Sequence, residues 1–208
     1  MIVFRVDGNE KIGLGHVMRC MSIAEAFLDA GEECFFILAD VCAKEVVEKR
    51  GFGVFVMNTR FDCMDVELPE MCSVVTQLMP RCVVVDSYYV TQQYLGFLKA
   101  LCRVIYLDDL ASFAHPVDIL INYNVYSVDM DYASLYRNSG EKLPQCILGS
   151  KYAPLRREFK GIQKCVIKKD VGDTVGTPHA HSSYNVLPAA EIARSHPLIK
   201  FPISCTAR

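Results

Sequence analysis

The feature of this sequence that most constrains its fold is an alternation, over the first 150 residues, between short apolar runs and amphipathic stretches of helical length. The apolar runs are rich in β-branched and aromatic residues, which is typical of strands. The predicted strands are Ile2–Val6, Cys34–Leu38, Gly53–Met57, Cys82–Asp86, Val104–Leu107 and Ile119–Asn122. Continuous apolar strands separated by helices predict an α/β fold, a doubly wound parallel sheet covered on both faces.

Four amphipathic stretches predict helices between these strands. They are His16–Ala30, Val41–Arg50, Glu70–Met79 and Thr91–Ala100. The first has the clearest pattern, with an apolar stripe formed by Val17, Met21, Ala24 and Leu28. Glu25 and Asp29 lie off that stripe, so we expect both to face away from the sheet.

Composition restricts the class of partner. The chain has 208 residues, is 51% hydrophobic and carries a formal net charge of −2, without a basic block. A nucleic-acid partner is therefore not expected. No apolar run approaches the roughly 20 residues that span a bilayer, and the start "MIVFRVD" lacks the pattern of a signal peptide. These features predict a cytoplasmic protein with no membrane partner.

The ten cysteines fit the same compartment. They occur singly and mostly inside apolar stretches, as in Cys20, Cys34, Cys82 and Cys102, and no CxxC pair occurs. Such cysteines behave as small hydrophobic residues in a reducing environment. The pair His179 and His181 lacks an evident third ligand, so we expect no metal.

Polar residues follow several predicted strands at the point where each ends. Ligands of open α/β sheets bind beyond the carboxyl ends of the strands. The candidates there are Asp7, Asp86, Tyr88, Asp108, Asp109 and Asn122. The aspartates can bind sugar hydroxyls, orient a histidine or cap helices. Tyr88 can stack on a sugar or close the sheet edge. A glycosidase with two carboxylates is a further alternative, which depends on their separation.

A glycine-containing loop leads from the first strand into the first helix. Gly13 and Gly15 allow the backbone to approach a ligand, and free N–H groups at a helix start favour an anion. The stretch "GNEKIGLG" is neither GxGxxG nor a P-loop. His16 then stands in the first turn, where the helix dipole favours the neutral imidazole that a general base needs. A capping or packing role for His16 is the alternative, and Arg19 either faces the same cleft or lies in solvent.

Residues 151–208 have a different character. The stretch "GSKYAPLRREF" predicts a turn leading into a helix, and beyond Gly161 the periodicity fades, leaving a short helical candidate around Pro188–Ser195. The predicted organisation is a domain over residues 1–155, followed by residues 156–208 as a linker and an incomplete second domain. We expect residues 165–208 to be largely irregular.

Five segments in order resemble a known family. They are "FRVDGNEKIGLGHVMRCMSIAEAF", "VVVDSYYV", "VIYLDDLA", "ILINYN" and "ILGSKYAPLRREF". Over residues 2 to about 160 the chain resembles the N-terminal half of the UDP-sugar hydrolases of pseudaminic acid biosynthesis and the related spore-coat polysaccharide proteins. The resemblance implies a two-domain GT-B architecture whose N-terminal, Rossmann-like domain faces the sugar and whose C-terminal domain holds UDP.

The resemblance also implies a reaction and a site. Family members hydrolyse UDP-2,4-diacetamido-2,4,6-trideoxy-β-L-altrose to UDP and free sugar, by water attack at the anomeric carbon with inversion and without a cofactor. By analogy His16 is the base that activates the water. Gly13 and Gly15 would lie near the diphosphate or the sugar. The remaining predicted substrate-binding residues are Asp7, Arg19, Asp86, Tyr88, Asp108 and Asn122.

The resemblance weakens after about residue 165. The glycine pair that opens the UDP-binding domain of the family is missing from "GDTVGTPHAHSSYNV". We therefore expect weak UDP-sugar binding and little hydrolysis by this chain alone. A GT-B-like transfer of the sugar to another acceptor and a non-catalytic nucleotide-sugar-binding remnant are the alternatives. The sequence does not predict an oligomeric state.

Overall fold

A computed structural model describes residues 1–159 as a seven-stranded sheet with helices on both faces. Every pair of neighbouring strands is parallel, and the order is β3-β2-β1-β4-β5-β6-β7. The strands are β1 Ile2–Val6, β2 Cys34–Leu38, β3 Gly53–Val56, β4 Cys82–Asp86, β5 Arg103–Leu107, β6 Ile119–Asn122 and β7 Gln145–Leu148. The predicted doubly wound parallel α/β sheet is confirmed.

Within residues 1–159, five α-helices connect or follow these strands. They are α1 Gly15–Asp29, α2 Lys44–Glu48, α3 Met64–Leu78, α4 Gln92–Leu101 and α5 Tyr132–Ser139. Short 3₁₀ turns occupy Val125–Asp129, Ser150–Tyr152 and Arg157–Phe159. None of the helices in residues 1–159 is long and apolar enough to cross a membrane.

The sheet separates two hydrophobic cores. On one face Phe4 of β1 packs beneath α1 and stacks on Phe36, with ring centroids 4.9 Å apart. On the other face Val3 belongs to the cluster formed with α3, α4 and α5. Successive residues of a strand point to opposite faces, so β1 contributes to both cores and its central position is explained. Each such buried aliphatic or aromatic side chain stabilises the fold by roughly 1.5–3 kcal/mol.

Helix α1 corrects part of the predicted stripe. Val17, Met21 and Ala24 are buried as predicted, but Leu28 is half exposed and Glu25 is buried. Glu25 accepts a hydrogen bond of 2.7 Å from Arg50 and lies 3.5 Å from the guanidinium of Arg157. These arginines compensate the buried charge, an interaction that helical periodicity cannot predict.

Several predicted boundaries differ from the structure. Helix α2 is shorter than the predicted Val41–Arg50, and α3 begins at Met64 instead of Glu70, with Pro69 inside it. Proline is unfavourable inside a helix, which made a start beyond Pro69 the natural prediction. The buried side chains of Met64, Leu68 and Met71 anchor the extra turn against the sheet, so tertiary packing overrides the local preference.

Two elements were not predicted, and one predicted helix is absent. Helix α5 and the edge strand β7 were missed because both are short and β7 contains a single β-branched residue. The helix predicted from "GSKYAPLRREF" is wrong for the described part, since two 3₁₀ turns flank Pro154 there. The predictions for residues 160–208, including the helical candidate Pro188–Ser195, lie outside the described residues, as does almost all of the second predicted domain.

Candidate functional site

The loop between β1 and α1 is a tight, internally bonded structure. The side-chain oxygen of Asn9 accepts hydrogen bonds from the backbone N–H groups of Lys11 and Ile12, at 3.0 and 3.2 Å. Gly13 has φ +71° and donates its N–H to the Asn9 carbonyl at 2.8 Å. That left-handed conformation favours glycine. The loop closes at Gly15, the first residue of α1, so that His16 is the second helical residue.

His16 pairs with the last residue of β4. Its Nδ1 lies 2.7 Å from Oδ1 of Asp86, whose side chain is fully buried. An ionised carboxylate only accepts hydrogen bonds, so the proton of this contact belongs to Nδ1. Nε2 of His16 makes no hydrogen bond to any residue in 1–159. The neutral ring therefore presents a lone pair on Nε2, as a general base requires.

Arg19 lies three residues further along α1 and joins the same cluster. Its Nε and Nη2 donate to the two oxygens of Asp86 at 2.6 and 2.5 Å. Its Nη1 donates to Oδ2 of Asp109 at 2.9 Å and to the hydroxyl of Tyr123 at 2.9 Å. Of the two orientations considered for Arg19, the structure shows the one toward the cleft.

The charge state of Asp86 follows from these contacts. Burial strongly opposes ionisation, but hydrogen bonds and charge interactions from Arg19 and His16 outweigh it and lower the pKa of Asp86. Asp86 is thus a buried carboxylate that stays ionised near neutral pH. It can hold the His16 ring in one tautomer and stabilise the imidazolium that forms when Nε2 takes a proton.

Tyr88 covers one side of His16. Its ring stands edge-on to the imidazole with centroids 4.7 Å apart, and its hydroxyl donates to Oδ2 of Asp109 at 2.8 Å. The pKa of Tyr88 is raised to about 12, mainly by burial and secondly by its hydrogen bond to Asp109, so the hydroxyl stays protonated. Half of the tyrosine surface is exposed, which leaves it available to a ligand.

Two residues of this cluster, Tyr123 and Asn124, were not candidates from the sequence, and Asp109 was a strand-end candidate that was not among the predicted substrate-binding residues. Asp109 connects Arg19, Tyr88 and Asn124, whose Nδ2 donates to it at 2.9 Å. The motifs "DDL" and "NYN" indicated the strand ends at which these three residues lie. They did not indicate which neighbouring residue at each end faces the cleft.

Asp108 and Asn122 lie beneath this surface. Asp108 accepts bonds from the backbone N–H of Leu110 at 2.9 Å and from the hydroxyl of Tyr132 at 2.8 Å. Asn122 donates to the same hydroxyl at 2.9 Å and accepts from the N–H of Asn124 at 3.1 Å. Both residues are buried, and the contacts shape the loops after β5 and β6. Substrate binding by either residue stays a prediction.

Asp7 is held by a buried ion-pair network. Its oxygens accept from the Ala39 N–H at 2.7 Å and from Nη1 of Arg5 at 2.6 Å. Burial raises the pKa of Asp7, although Arg5 and the Ala39 N–H oppose that shift. Arg5 also forms a two-pronged pair with Glu67 of α3 at 2.6 and 2.9 Å. This network was not predicted, because Arg5 occurs alone in an otherwise apolar strand.

A small cavity lies against the imidazole. It is lined by Asp7, Ile12, His16, Phe61, Asp86, Ser87, Tyr88 and Tyr89, and its volume is about 10 Å³. A cavity of that size holds about one water molecule. An imidazole nitrogen without a hydrogen-bond partner among residues 1–159 and room for a single water thus occur together.

An open groove adjoins this cavity at the ends of β1, β2 and β3. It is lined by Asn9, Glu10, Lys11, Asp40, Cys42, Thr59, Arg60, Phe61 and Asp62, and its volume is about 520 Å³. Phe61 lines both spaces. Within residues 1–159 no group of three or more His, Cys, Asp or Glu side chains is arranged to hold a metal ion.

Two curated proteins are similar to this chain in sequence. The UDP-2,4-diacetamido-2,4,6-trideoxy-β-L-altropyranose hydrolase of Campylobacter jejuni is 23% identical over 160 residues, which is 76% of this chain. This similarity confirms the resemblance. An uncharacterised protein of Methanocaldococcus jannaschii is also 23% identical, over 172 residues and 81% of this chain. The chain spans about half (53%) of the hydrolase and 33% of the archaeal protein.

Two further comparisons complete the findings. No known protein-family profile matches the chain. Among solved structures, the calicheamicin glycosyltransferase CalG4 aligns with a TM-score of 0.35 and 13% identity, over 68% of this chain and 37% of that chain.

Proposed function

We propose that residues 1–159 form the sugar-side half of a UDP-sugar hydrolase, with His16 as the base. The His16–Asp86 pair beside a cavity for one water carries this proposal. The similarity to the Campylobacter jejuni hydrolase supports the substrate class, a UDP-linked 2,4-diacetamido-2,4,6-trideoxy sugar. The reaction needs no cofactor.

The proposed step is a single displacement. The water oxygen bonds to the anomeric carbon while the bond from that carbon to the UDP oxygen breaks, and UDP leaves with the electron pair. Nε2 of His16 takes the water proton, and Asp86 stabilises the imidazolium through Nδ1–H. Because water attacks opposite the leaving group, the sugar configuration inverts. A positioned base contributes a factor of about 10² to 10⁴ to such a rate.

The test is hydrolysis of UDP-2,4-diacetamido-2,4,6-trideoxy-β-L-altrose in oxygen-18 water, with mass spectrometry of both products. The expected result is slow release of UDP, with label in the sugar and none in UDP. Label in UDP would contradict attack at the anomeric carbon. Transfer of the sugar to an added acceptor without free labelled sugar would favour a transferase. Absence of UDP release would contradict hydrolysis by this chain.

A further inference from the structure

The His16 cavity is too small for the sugar. About 10 Å³ accommodates one water, whereas small-molecule pockets typically measure about 300–1,000 Å³. The polar residues deeper in the site, Asp7, Asp86 and Asn122, are buried and already engaged in hydrogen bonds. A sugar ring placed for attack by the His16 water therefore needs a neighbouring space.

The groove at the ends of β1, β2 and β3 offers that space. Its volume of about 520 Å³ falls within the small-molecule range, and it meets the His16 cavity at Phe61. Its lining combines carboxylates such as Asp40, the ammonium of Lys11 and the aromatic face of Phe61. Mixed donors and acceptors beside one ring suit an uncharged ligand rich in hydroxyl and amide groups.

The groove wall is held rigidly from below. Asn58 has φ +53° and turns the chain after β3. Thr59 then donates its N–H to the Ala39 carbonyl at 2.8 Å and its hydroxyl to Glu67 at 2.9 Å. Glu67 is the buried partner of Arg5, so the ion-pair network supports the groove. Such preorganisation lowers the cost of ordering residues on binding.

We propose that this groove binds the sugar ring of the substrate, with Phe61, which lines both spaces, as the apolar contact at the edge of the ring nearest the His16 cavity. The assignment rests on the proposed function. It transfers the principal sugar contacts from the ends of β4 and β6 to Lys11, Asp40, Thr59 and Phe61, none of which was a predicted substrate-binding residue.

The test is an NMR titration of the full 208-residue chain with the free sugar 2,4-diacetamido-2,4,6-trideoxy-L-altrose. A single sugar ring is expected to bind with a Kd of about 1 mM. Backbone amide shifts should be largest at Lys11, Thr59 and Phe61. Asp40→Asn and Phe61→Ala should each weaken binding by about tenfold. Asp129→Asn and Phe97→Ala, both exposed and outside the groove, are the matched controls and should bind as the unmodified chain does.

The possible outcomes distinguish sugar binding in the groove from the proposed hydrolysis with His16 as the base. Sugar binding should survive His16→Asn, since that variant alters only the water side. A dispersion of backbone amide chemical shifts like that of the unmodified chain shows that each variant folds. No binding at about 10 mM sugar, ten times the expected Kd, would overturn the assignment. Equal affinity in both groove variants, or shifts confined to Tyr88 and Asn124, would also overturn it. If the sugar binds in the groove but no UDP is released, the proposed hydrolase function is contradicted, whereas the groove remains a sugar-binding site.

Discussion

Asp86 determines how His16 and Arg19 are oriented, because it accepts hydrogen bonds from both while fully buried. Its position at the carboxyl end of the central strand β4 places it between α1 and the loop after β5. The predicted set from this region, His16, Arg19 and Asp86, is brought together by the structure. Their roles in catalysis stay predictions.

Replacing Asp86 with Asn should reduce both turnover and stability. The amide is not an ionised acceptor for the Nδ1–H of His16. Arg19 also loses the carboxylate that accepts two of its hydrogen bonds. Removal of one partner of a buried pair costs about 3–5 kcal/mol. Chemical denaturation should show a loss of that order, and the rate of UDP release should fall by about 10² or more. A stability equal to that of the unmodified chain would contradict the described pairing.

His115 should make the protein less stable in mild acid. It is fully buried between Tyr106 and Phe113, with both ring nitrogens unpartnered among the described residues. Burial lowers its pKa to about 4, although Asp108 opposes the shift. Because the unfolded chain takes up the proton near pH 6.5, the free energy of unfolding should decrease as the pH falls from about 6.5 to 4. The contribution is at most about 3 kcal/mol.

The variant His115→Leu should lack this contribution. Urea denaturation of both proteins between pH 7 and 4 measures it. Other groups titrate over the same interval, so the comparison is the difference between the two curves. Parallel curves would show that the buried neutral histidine is not the cause.

At the scale of elements, four strands could be predicted to the residue, because each is a run of apolar residues that supplies both faces of the sheet. They are β1, β2, β4 and β6. Helix α5 and strand β7 could not, because they are short elements at the sheet edge whose burial depends on a few contacts, such as those of Tyr132 and Tyr136. The candidate site, too, could be predicted only in part. Strand ends indicated the candidate residues, but the choice between Asp108 and Asp109 depends on the geometry of the loop, which the local sequence does not determine.

The β1–α1 loop should not tolerate a side chain at Gly8. An added Cβ would lie 2.8 Å from Cγ2 of Val17 and 3.0 Å from Cδ2 of Leu14. Gly8→Ala should therefore lower the free energy of unfolding by about 1–3 kcal/mol. In a double-mutant cycle, Val17→Ala should relieve part of that strain. Additive losses in the cycle would contradict the contact. Gly31→Ala is no substitute control, because its φ of +84° carries its own strain.

The Arg5–Glu67 pair connects β1 with α3 and should act as one unit. Both side chains are fully buried, and Tyr94 donates to Glu67 at 2.8 Å. Glu67→Gln should cost about 3–5 kcal/mol, since it leaves the Arg5 charge buried beside Asp7 alone. The triple variant Arg5→Met with Glu67→Leu and Asp7→Asn, which also removes the buried charge of the Arg5 partner Asp7, should recover part of that loss. If Arg5→Met and Glu67→Gln each leave the free energy of unfolding unchanged in denaturation experiments, the pair does not stabilise the contact between β1 and α3.

At the scale of the whole molecule, the parallel sheet explains why the site lies where it does. Its carboxyl edge collects the β1–α1 loop, Asp86, Asp109 and the β3 loop with Phe61, although these are distant in sequence. The edge divides into a small cavity lined by His16 and a larger groove. This division suits the proposed reaction between a single water and a bulky sugar. The role of the cavity is tested by UDP release, and the role of the groove by sugar binding.

The most direct measurement of the central claim is the rate of UDP release by the His16→Asn variant. An asparagine amide can still donate to Asp86 but offers no Nε2, so the fold and the ion pairs should be retained. His179→Ala, a histidine outside the described residues, is the control. The account predicts a fall of about 10² to 10⁴ for His16→Asn and none for the control. A folded His16→Asn variant with an unchanged rate would contradict the assignment of His16 as the base.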